Sequence, residues 1–412
     1  MNKKEILATI EISDYEIRLI VAECHNLKFN VLKVERIECS GVSKIETTNQ
    51  EVVIACIKKA VNNASKLIGA PIKRVIVLVP SYRFTRVAKR IIVSTKEGYV
   101  TSNDVSEAIK TARFIDLGEN REIVNIMPYR YIVNGAATKK APLNEKSDSL
   151  AVEIEVLACD KNIVYSYVGT VEKAGLEVVD ICCDTYALAL EAALFEQSIQ
   201  NYILLIKMER QTTTMSLIAN GKLASSTILD VGYAEIVGHI TDEVKLPNGI
   251  AARLLLHNLH IGSSELSTSP IYYWSIDEVP HTISEAQIAD IAMPEIERWA
   301  KKIKDITADI LSAKDVKVVL SGDGAEMIEL DKYLSQLLEK DTTTYIPETL
   351  GIRTSGLSAC FGALYAYRDQ RDFKTDYQVS IDDLTFFDKK EQTTNENTKS
   401  NRFARLFANK GD

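Results

Sequence analysis

Several features that would assign this 412-residue chain to a particular protein class are missing from it. No stretch reaches the roughly 18 apolar residues of a membrane span, and the N-terminus lacks the apolar core of a signal peptide. The net charge of −8 does not supply the dense cationic footprint of a general nucleic-acid binder. The seven cysteines include no C-x-x-C pair, which argues against a disulfide framework. We therefore expect a cytoplasmic protein with buried thiols and no nucleic-acid partner.

The sequence that is present predicts a large α/β protein with an internal repeat. A chain of 412 residues is too long for one ordinary core, and strands alternate with helices throughout. The strand order "ILATIE", "EIRLIVAE" and "KFNVLKVERI" near the N-terminus returns from residue 202 as "YILLIK", "TTTMSLIA" and "KLASSTILDV". Helices follow each set, so the pattern predicts two halves that each begin with a three-strand meander.

The turn that opens the second half has unusual residues. Between "YILLI" and "TTTMS" stand Lys207, Met208, Glu209, Arg210 and Gln211. A tight turn between strands ordinarily uses glycine, asparagine or aspartate. The pattern of strands is therefore sufficient to predict the fold, whereas the residues of the turn need a separate explanation.

Two long segments are distinctive: "IMPYRYIVNGAATKKAPLNEKSDSLAVEIEVLACDKNIV" (126–164) and "VEKAGLEVVDICCDTYALALEAAL" (171–194). In these segments most specifically, and nearly end to end, the chain resembles FtsA, the actin-like bacterial protein that tethers the division ring to the membrane. "VVLSGDGAEM" is similar to the family's adenosine-binding loop, and "SGLSACFGALYAY" to its final helix. The fold class implied is α/β: an actin-like (ribonuclease H-like, duplicated) two-domain fold with an inserted FtsA-type 1C subdomain.

The same resemblance implies a division of the chain into subdomains. We expect these segments: 1–81 as the first half of subdomain 1A, 82–163 as 1C, 164–200 as 1A continued, 201–231 as 2A, 232–313 as 2B, 314–345 as 2A continued, 346–368 as the closing helix of 1A, 369–400 as a flexible linker and 401–412 as an amphipathic membrane-targeting helix. Ile381–Phe387 interrupts the linker, either as a docking motif or as a last packed piece.

The function implied is that of a non-enzymatic scaffold at the division site, on the cytoplasmic side of the cell membrane. Such proteins polymerise with themselves through subdomain 1C, bind the C-terminal peptide of FtsZ on subdomain 2B, meet other division proteins and contact anionic membrane lipid. The FtsZ groove of the family corresponds loosely to Arg298, and Lys301 continues a basic face that suits an acidic peptide; a solvated surface is the alternative.

Both phosphate-binding turns of the family are altered here. The first turn, Asp-Ile-Gly-Thr-Ser in the family, is matched by Glu11 to Tyr15, and the second has lost its glycines and carries Lys207 where an aspartate would face magnesium. Glycine lets backbone amides approach a phosphate. The site is therefore expected to be degenerate, with no cofactor or with ATP, and its members by position are Glu11, Ser13, Lys207, Arg210, Thr212, Gly322 and Gly324.

Three interpretations of this cleft stay open on sequence alone: cationic residues that hold phosphates without magnesium, an empty relic, or an unexpected ligand. We predict that Glu11 and Lys207 pair across the cleft, which a charge swap should test. Asp184 falls near a water-orienting position of actin-like ATPases, but it also suits an N-cap for a helix that begins at Thr185. Catalytic residues, a metal site and ATP hydrolysis are not expected.

The last residues, "NRFARLFANKGD", predict a short membrane-binding helix. Apolar side chains recur at i, i+3 and i+4, and arginines flank them, so one face can enter the headgroup region while cations meet anionic lipid. The residues concerned are Arg402, Phe403, Arg405, Leu406 and Phe407. Two other classes remain as alternatives: an ATP-dependent actin-like enzyme or chaperone, and an actin-like protein of pilus assembly.

Overall fold

The computed structural model describes residues 4–26 and 28–382, which form three cores. The described strands are β1 (Glu5–Ile12), β2 (Glu16–His25), β3 (Lys28–Glu38), β4 (Val42–Ser43), β5 (Glu46–Thr47), β6 (Arg74–Val79), β7 (Thr85–Ser94), β8 (Arg121–Val133), β9 (Ala136–Thr138), β10 (Ser149–Asp160), β11 (Glu177–Cys183), β12 (Tyr202–Met208), β13 (Thr213–Ala219), β14 (Lys222–Leu229), β15 (Pro270–Ile276), β16 (Val279–Ser284), β17 (Val316–Ser321) and β18 (Thr342–Thr344).

Helices cover the faces of these sheets and connect their strands. The described helices are α1 (Gln50–Ile68), α2 (Ser102–Ala112), α3 (Lys161–Lys173), α4 (Asp184–Glu191), α5 (Leu194–Gln197), α6 (Tyr233–Val244), α7 (Asn248–Asn258), α8 (Glu285–Ile306), α9 (Ala308–Leu311), α10 (Leu330–Leu338) and α11 (Ser358–Arg368).

The repeat predicted from the sequence is present as two sheets of the same construction. One has the strand order β11-β6-β1-β2-β3 and the other the order β14-β13-β12-β17-β18. In each sheet the meander is antiparallel, and the first strand of the meander pairs in parallel with the strand that follows the helical crossover. The turns β1–β2 and β12–β13 therefore occupy equivalent positions in the two halves.

A separate sheet with the order β7-β10-β8-β9 is inserted between β6 and α3. Helix α2 packs on this sheet around a core of its own, which includes Val105, Ile109 and Ile154. Thr101 and Asp104 form a capping box at the start of α2, which satisfies backbone amides at that end of the helix.

Two long helical segments position the second half and close the first. Helix α8 starts with a capping box between Ser284 and Gln287 and buries Ile296 and Trp299. It ends at Ile306, where the Thr307 hydroxyl donates to the Ile303 carbonyl at 2.7 Å. Helix α11 contacts α4 closely: a Cβ on Gly362 would lie 1.9 Å from the carbonyl oxygen of Ala187.

The segment predicted as a flexible linker from residue 369 differs in its first part. The ring of Tyr377 stacks on Tyr367 with centroids 4.7 Å apart, and Ile381 is buried. The Ser380 amide donates to the Ile6 carbonyl at 2.8 Å, so the chain is fixed to β1. The aromatic ring of Tyr377 and the aliphatic side chain of Ile381 supply a packing surface within a segment of polar composition. The remainder of the linker and the predicted helix 401–412 lie outside the described residues.

Candidate functional site

The two equivalent hairpin turns face each other across the cleft between the halves. In the first turn the Ser13 amide donates to the Glu16 carbonyl at 2.9 Å, and in the second the Glu209 amide donates to the Thr212 carbonyl at 2.8 Å. Each turn is therefore closed by a hydrogen bond between its first and fourth residues, and neither turn contains glycine. The facing side chains form a set that we call the cleft cluster: Glu11, Asp14, Glu16, Arg18, Arg36, Asp184, Lys207, Glu209 and Asp323.

Lys207 is the cation at the centre of the cleft. Its Nζ lies 2.9 Å from Glu11 Oε1 and 3.1 Å from Asp184 Oδ2, and the side chain is almost fully buried. Burial alone would lower the pKa of Lys207, but the carboxylates of Glu11, Asp184 and Glu209 outweigh it and raise that pKa well above its usual value. The predicted pairing of Glu11 with Lys207 is confirmed as a contact, and Asp184 joins it.

Asp184 is therefore neither a simple cap nor a free polar group. Helix α4 begins at Asp184 itself, one residue earlier than the predicted start. One carboxylate oxygen accepts hydrogen bonds from the amides of Thr185, at 2.6 Å, and Ser81, at 3.0 Å. The other oxygen accepts from Lys207. The residue thus orders the start of the helix and binds the lysine of the other half.

Arg18, on β2, is a member of the cluster that the sequence pattern did not reveal. Its guanidinium is fully buried and binds the Glu209 carboxylate through two nitrogens, at 2.9 and 2.7 Å. A third bond joins Arg18 Nη2 to Asp323 Oδ2 at 3.0 Å. Paired bonds between a guanidinium and a carboxylate are strong and directional, so Arg18 fixes the first half to two elements of the second. The signal that could have found it is a charged residue between Ile17 and Leu19 in a strand buried on both faces.

The loop that resembles an adenosine-binding loop contacts protein atoms of the cleft. Asp323 accepts a hydrogen bond from the Tyr15 hydroxyl at 2.8 Å, and Arg18 and Arg36 overcome the effect of burial and lower the pKa of its carboxyl. A Cβ on Gly322 would lie 2.4 Å from the Met208 carbonyl oxygen, and one on Gly324 would lie 2.7 Å from the Met208 side chain. Close packing of the loop on β12 therefore accounts for both glycines.

Asp14 projects from the first turn onto the backbone of the second. Its Oδ2 accepts hydrogen bonds from the Gln211 amide at 2.6 Å, the Thr212 amide at 3.0 Å and the Thr212 hydroxyl at 3.1 Å. Burial raises the pKa of the Asp14 carboxyl, and the bond from the Gln211 amide and the charge of Arg18 oppose that rise. The two turns are thus joined by a carboxylate held on backbone amides.

The remaining space in the cleft is a cavity of about 40 Å³. Room of this size holds one or a few water molecules, whereas ligand pockets measure about 300–1,000 Å³. Of the predicted nucleotide positions, Glu11, Ser13, Lys207 and Thr212 line this cavity. Arg210 instead lies over the Tyr15 ring, 4.9 Å from its centroid.

The residues present therefore do not fit a magnesium nucleotide. Magnesium is held by oxygen ligands and substrate phosphates, but the carboxylates of Glu11 and Asp184 are bound by an ammonium group. The amides of Gln211 and Thr212, which could bind a phosphate, are bound by Asp14. Among residues 4–26 and 28–382, no group of three or more His, Cys, Asp or Glu side chains is arranged to hold a metal ion.

The predicted partner residues lie away from the cleft, on α8. Arg298 is largely exposed and binds Glu295 at 2.5 Å, and it lines a small cavity of about 50 Å³ with Trp299 and Lys302. Lys301 is exposed on the same helix. The Trp299 indole is buried and donates to the Thr213 hydroxyl at 3.0 Å. The five predicted membrane-binding residues lie outside the described residues, and none of the described helices has the length and apolar character to cross a membrane.

The inserted sheet and the whole chain each have recognisable relatives. The family described as "SHS2 domain inserted in FTSA" matches residues 81–158. The cell division protein FtsA of Bacillus subtilis is 24% identical over 362 residues, which are 86% of this chain and 81% of that protein. FtsA of Streptococcus pneumoniae is 23% identical over 359 residues, with 86% and 78% covered.

Solved structures share the fold at low identity. The chain is similar to one in the PilM-PilN type IV pilus biogenesis complex, with a TM-score of 0.57, 12% identity and coverage of 89% of this chain and 98% of that one. It is also similar to MreB5 of Spiroplasma citri bound to ADP, with a TM-score of 0.52, 12% identity and coverage of 89% and 97%. The predicted fold class, an actin-like α/β fold with an inserted domain, is confirmed.

Proposed function

We propose that this chain, which is similar to FtsA proteins and has an actin-like fold, is a cell-division scaffold that tethers FtsZ filaments to the inner face of the cytoplasmic membrane. The similarity to FtsA proteins along 86% of the chain supports a place among the division proteins at the division site. Self-association into an actin-like polymer is part of the same proposal. No ATP hydrolysis is required of a scaffold of this kind.

The observation that carries the molecular part of the proposal is the position of Lys207. Its ammonium contacts carboxylates of both halves, at 2.9 Å from Glu11 and 3.6 Å from Glu209. A bound divalent cation at these carboxylates would meet a buried positive charge and would have to displace it. We infer that the halves are held together by side-chain charges instead of by Mg-ATP, so that the nucleotide site is degenerate.

Membrane attachment is assigned to the predicted helix at 401–412. Phe403, Leu406 and Phe407 supply only three large apolar side chains, with Arg402 and Arg405 beside them. Each basic residue near an anionic surface contributes about 1 kcal/mol, so a single chain binds weakly. Stable attachment then depends on several chains that act together in a polymer.

The FtsZ peptide is assigned to the exposed basic face of α8. Arg298 and Lys302 line the small cavity beside Trp299 together with Glu235 and Glu295, and Lys301 adds a further exposed positive charge on α8. An acidic peptide with one apolar side chain matches this combination of charge and shape.

A liposome co-pelleting assay tests the proposal. Full-length chain and a truncation after Ser400 are mixed with purified FtsZ and vesicles that contain anionic lipid. The proposal predicts that FtsZ sediments with the vesicles only when the full-length chain is present. Equal recruitment by the truncation would refute the tether. Arg298→Glu with Lys301→Glu in the full-length chain is expected to keep vesicle binding and to lose FtsZ.

The main alternative is an ATP-dependent actin-like enzyme, a class to which the shared fold also belongs. The contacts of Lys207 and Asp14 argue against it. A steady phosphate release from Mg-ATP that disappears on replacement of a cleft residue, such as Asp184→Asn, would favour the enzyme.

A further inference from the structure

The Asp14 carboxylate makes the most unusual contact in the cleft. Three donors of the second half, the amides of Gln211 and Thr212 and the Thr212 hydroxyl, converge on the single oxygen Oδ2 within 2.6 to 3.1 Å. Successive backbone amides that point at one place form an anion-binding concavity. Hydrogen bonds from amides to an ionised carboxylate are also stronger than neutral ones.

We propose that the Gln211–Thr212 turn is an oxyanion-binding site that the chain fills with its own Asp14 carboxylate. A free oxyanion, of which a small carboxylate is the nearest chemical match, binds there only when the Asp14 side chain is removed. The site rests on the proposed nucleotide-free cleft and explains it further: the anion that joins the two halves is supplied by the protein.

Two unpartnered atoms lie beside this contact, and one of them, the Ser13 hydroxyl, remains as a donor for an anion when the Asp14 side chain is removed. Asp14 Oδ1 and Ser13 Oγ are buried and have no hydrogen-bond partner among the described residues, and the two side chains are only 4% and 6% exposed. Both residues line the 40 Å³ cavity, together with Lys44 and Lys207. Removal of the carboxylate would enlarge this cavity and leave the donors of the second turn facing it.

The donors are expected to keep their positions without the Asp14 side chain, because other contacts hold the turn. The Gln211 side-chain amide donates to the Asp14 carbonyl at 2.6 Å, a contact that does not involve the Asp14 side chain. The Gln211 Oε1 atom accepts from the Lys44 amide at 3.2 Å. The Glu209–Thr212 bond closes the turn itself.

The test is chemical rescue of the full-length Asp14→Ala protein by sodium formate, with sodium chloride at equal ionic strength as the control. Thermal unfolding midpoints and hydrogen exchange of the peptide that contains Gln211 and Thr212 are measured for wild type, Asp14→Ala and Asp14→Asn. The alanine variant is expected to unfold roughly 4 °C or more below wild type. Formate should restore about half of that loss and slow the exchange of the Gln211–Thr212 peptide, because it supplies the missing carboxylate.

Wild type and Asp14→Asn should not respond, since a side chain already fills the site in each. Formate that shifts all three proteins equally, or none of them, would overturn the proposal. If the alanine variant does not fold, the asparagine variant decides: its Gln211–Thr212 peptide must exchange faster than in wild type, because a neutral oxygen is a weaker acceptor. Equal exchange would also overturn the proposal. Vesicle recruitment of FtsZ is measured separately, so a failure of the tether does not affect this outcome.

Discussion

The ammonium of Lys207, at the end of β12, lies 2.9 Å from the carboxylate of Glu11, at the end of β1. These residues occupy equivalent places in the two repeated sheets, so the pair joins the halves where their parallel strands end. The bond is buried and shares its lysine with Asp184. A buried charge that loses its partner destabilises a protein strongly, so the protein should be sensitive to the loss of either residue.

Lys207→Met is expected to lower the free energy of unfolding by about 3–5 kcal/mol, because it leaves several buried carboxylates without a cation. Glu11→Gln should lower the free energy of unfolding by a smaller amount, since Lys207 still contacts the Asp184 carboxylate in that variant. The double variant should cost less than the sum of the two, with a coupling energy of about 0.5–3 kcal/mol. Denaturant unfolding of the four proteins measures this. The exposed strand residue Lys317 gives a matched control, Lys317→Met, with an expected change within about 0.5 kcal/mol.

Strict additivity of the two changes would show that the contact has no energetic weight. The charge swap of Glu11 and Lys207 is a poor test of this pair, because other charged residues surround both positions. It would place a lysine at position 11 beside Arg18, which is 3.3 Å from Glu11, and a glutamate at position 207 beside Asp184 and Glu209. Like charges at both ends would prevent recovery even if the native pair is coupled.

Glu209 gives the cleft a pH dependence of defined sign. Burial, opposed by Arg18 and Lys207, raises the pKa of Glu209 from its ordinary 4.5 to about 7. A raised pKa in the folded state means that its contribution to stability is fully present below about pH 4.5 and is lost as pH rises through about 7. Relative to Glu209→Gln, the wild type should therefore lose unfolding free energy between about pH 4.5 and 7, on the order of 1 kcal/mol per pH unit, and the loss should level off above about pH 7.

Urea unfolding of both proteins at several pH values measures this difference. The exposed Glu265→Gln is the matched control, and its curve should run parallel to that of wild type. A wild-type free energy of unfolding that rises with pH, relative to that of Glu209→Gln, would contradict the assigned burial of Glu209. The lowered pKa values of Glu11 and Asp323 act in the opposite sense, but their contributions are lost only at more acidic pH.

Gly322 should be intolerant of any side chain for two separate reasons. Its φ of +87° is a left-handed conformation, and an added Cβ would lie 2.4 Å from the Met208 carbonyl oxygen. Gly322→Ala is therefore expected to destabilise the protein by at least about 1–3 kcal/mol. Gly238→Ala, within α6 and with no heavy atom within 4 Å of the new Cβ, should instead stabilise it by about 0.5–1 kcal/mol.

Thermal or denaturant unfolding compares the two alanine variants. A third variant separates packing from nucleotide binding as the reason for the glycines. At Gly324 the obstacle is the Met208 side chain, 2.7 Å from the new Cβ, so Met208→Ala should relieve Gly324→Ala but not Gly322→Ala. Gly322→Ala and Gly324→Ala proteins as stable as wild type would show that the loop does not pack on β12 as described.

The repeat of the two halves could be predicted because it produces the same local sequence pattern twice. "ILATIE" and "YILLIK" are apolar runs of strand length, and each is followed by a partner strand and a helix. The pairing of Glu11 with Lys207 follows from the resemblance to actin-like proteins, in which the equivalent turns of the two halves face each other. Local periodicity thus fixes both the strands and the positions of their ends.

The other cleft contacts depend on distances along the chain that no local pattern encodes. Arg18 meets Asp323, 305 residues away, and Asp14 meets Thr212, 198 residues away. Asp14 is ordinary in a turn, and although Arg18 stands out as a charged residue in an apolar strand, its segment does not show which carboxylates it meets. Only the assembled halves show that a buried arginine needs carboxylates and that the second turn needs an anion. The packing of the segment that contains Ser380 depends on the same kind of contact, since the Ser380 hydroxyl accepts a hydrogen bond from the Ala8 amide, 372 residues away.

The most direct test of the central claim, that side-chain charges replace a magnesium nucleotide between the halves, is calorimetric titration of the full-length protein with Mg-ATP at neutral pH. The contacts of Lys207 and Asp14 predict no saturable binding in the micromolar range, and no change in the unfolding midpoint when millimolar Mg-ATP is added. A saturable isotherm with a micromolar dissociation constant, with a matching rise in the midpoint, would contradict the claim.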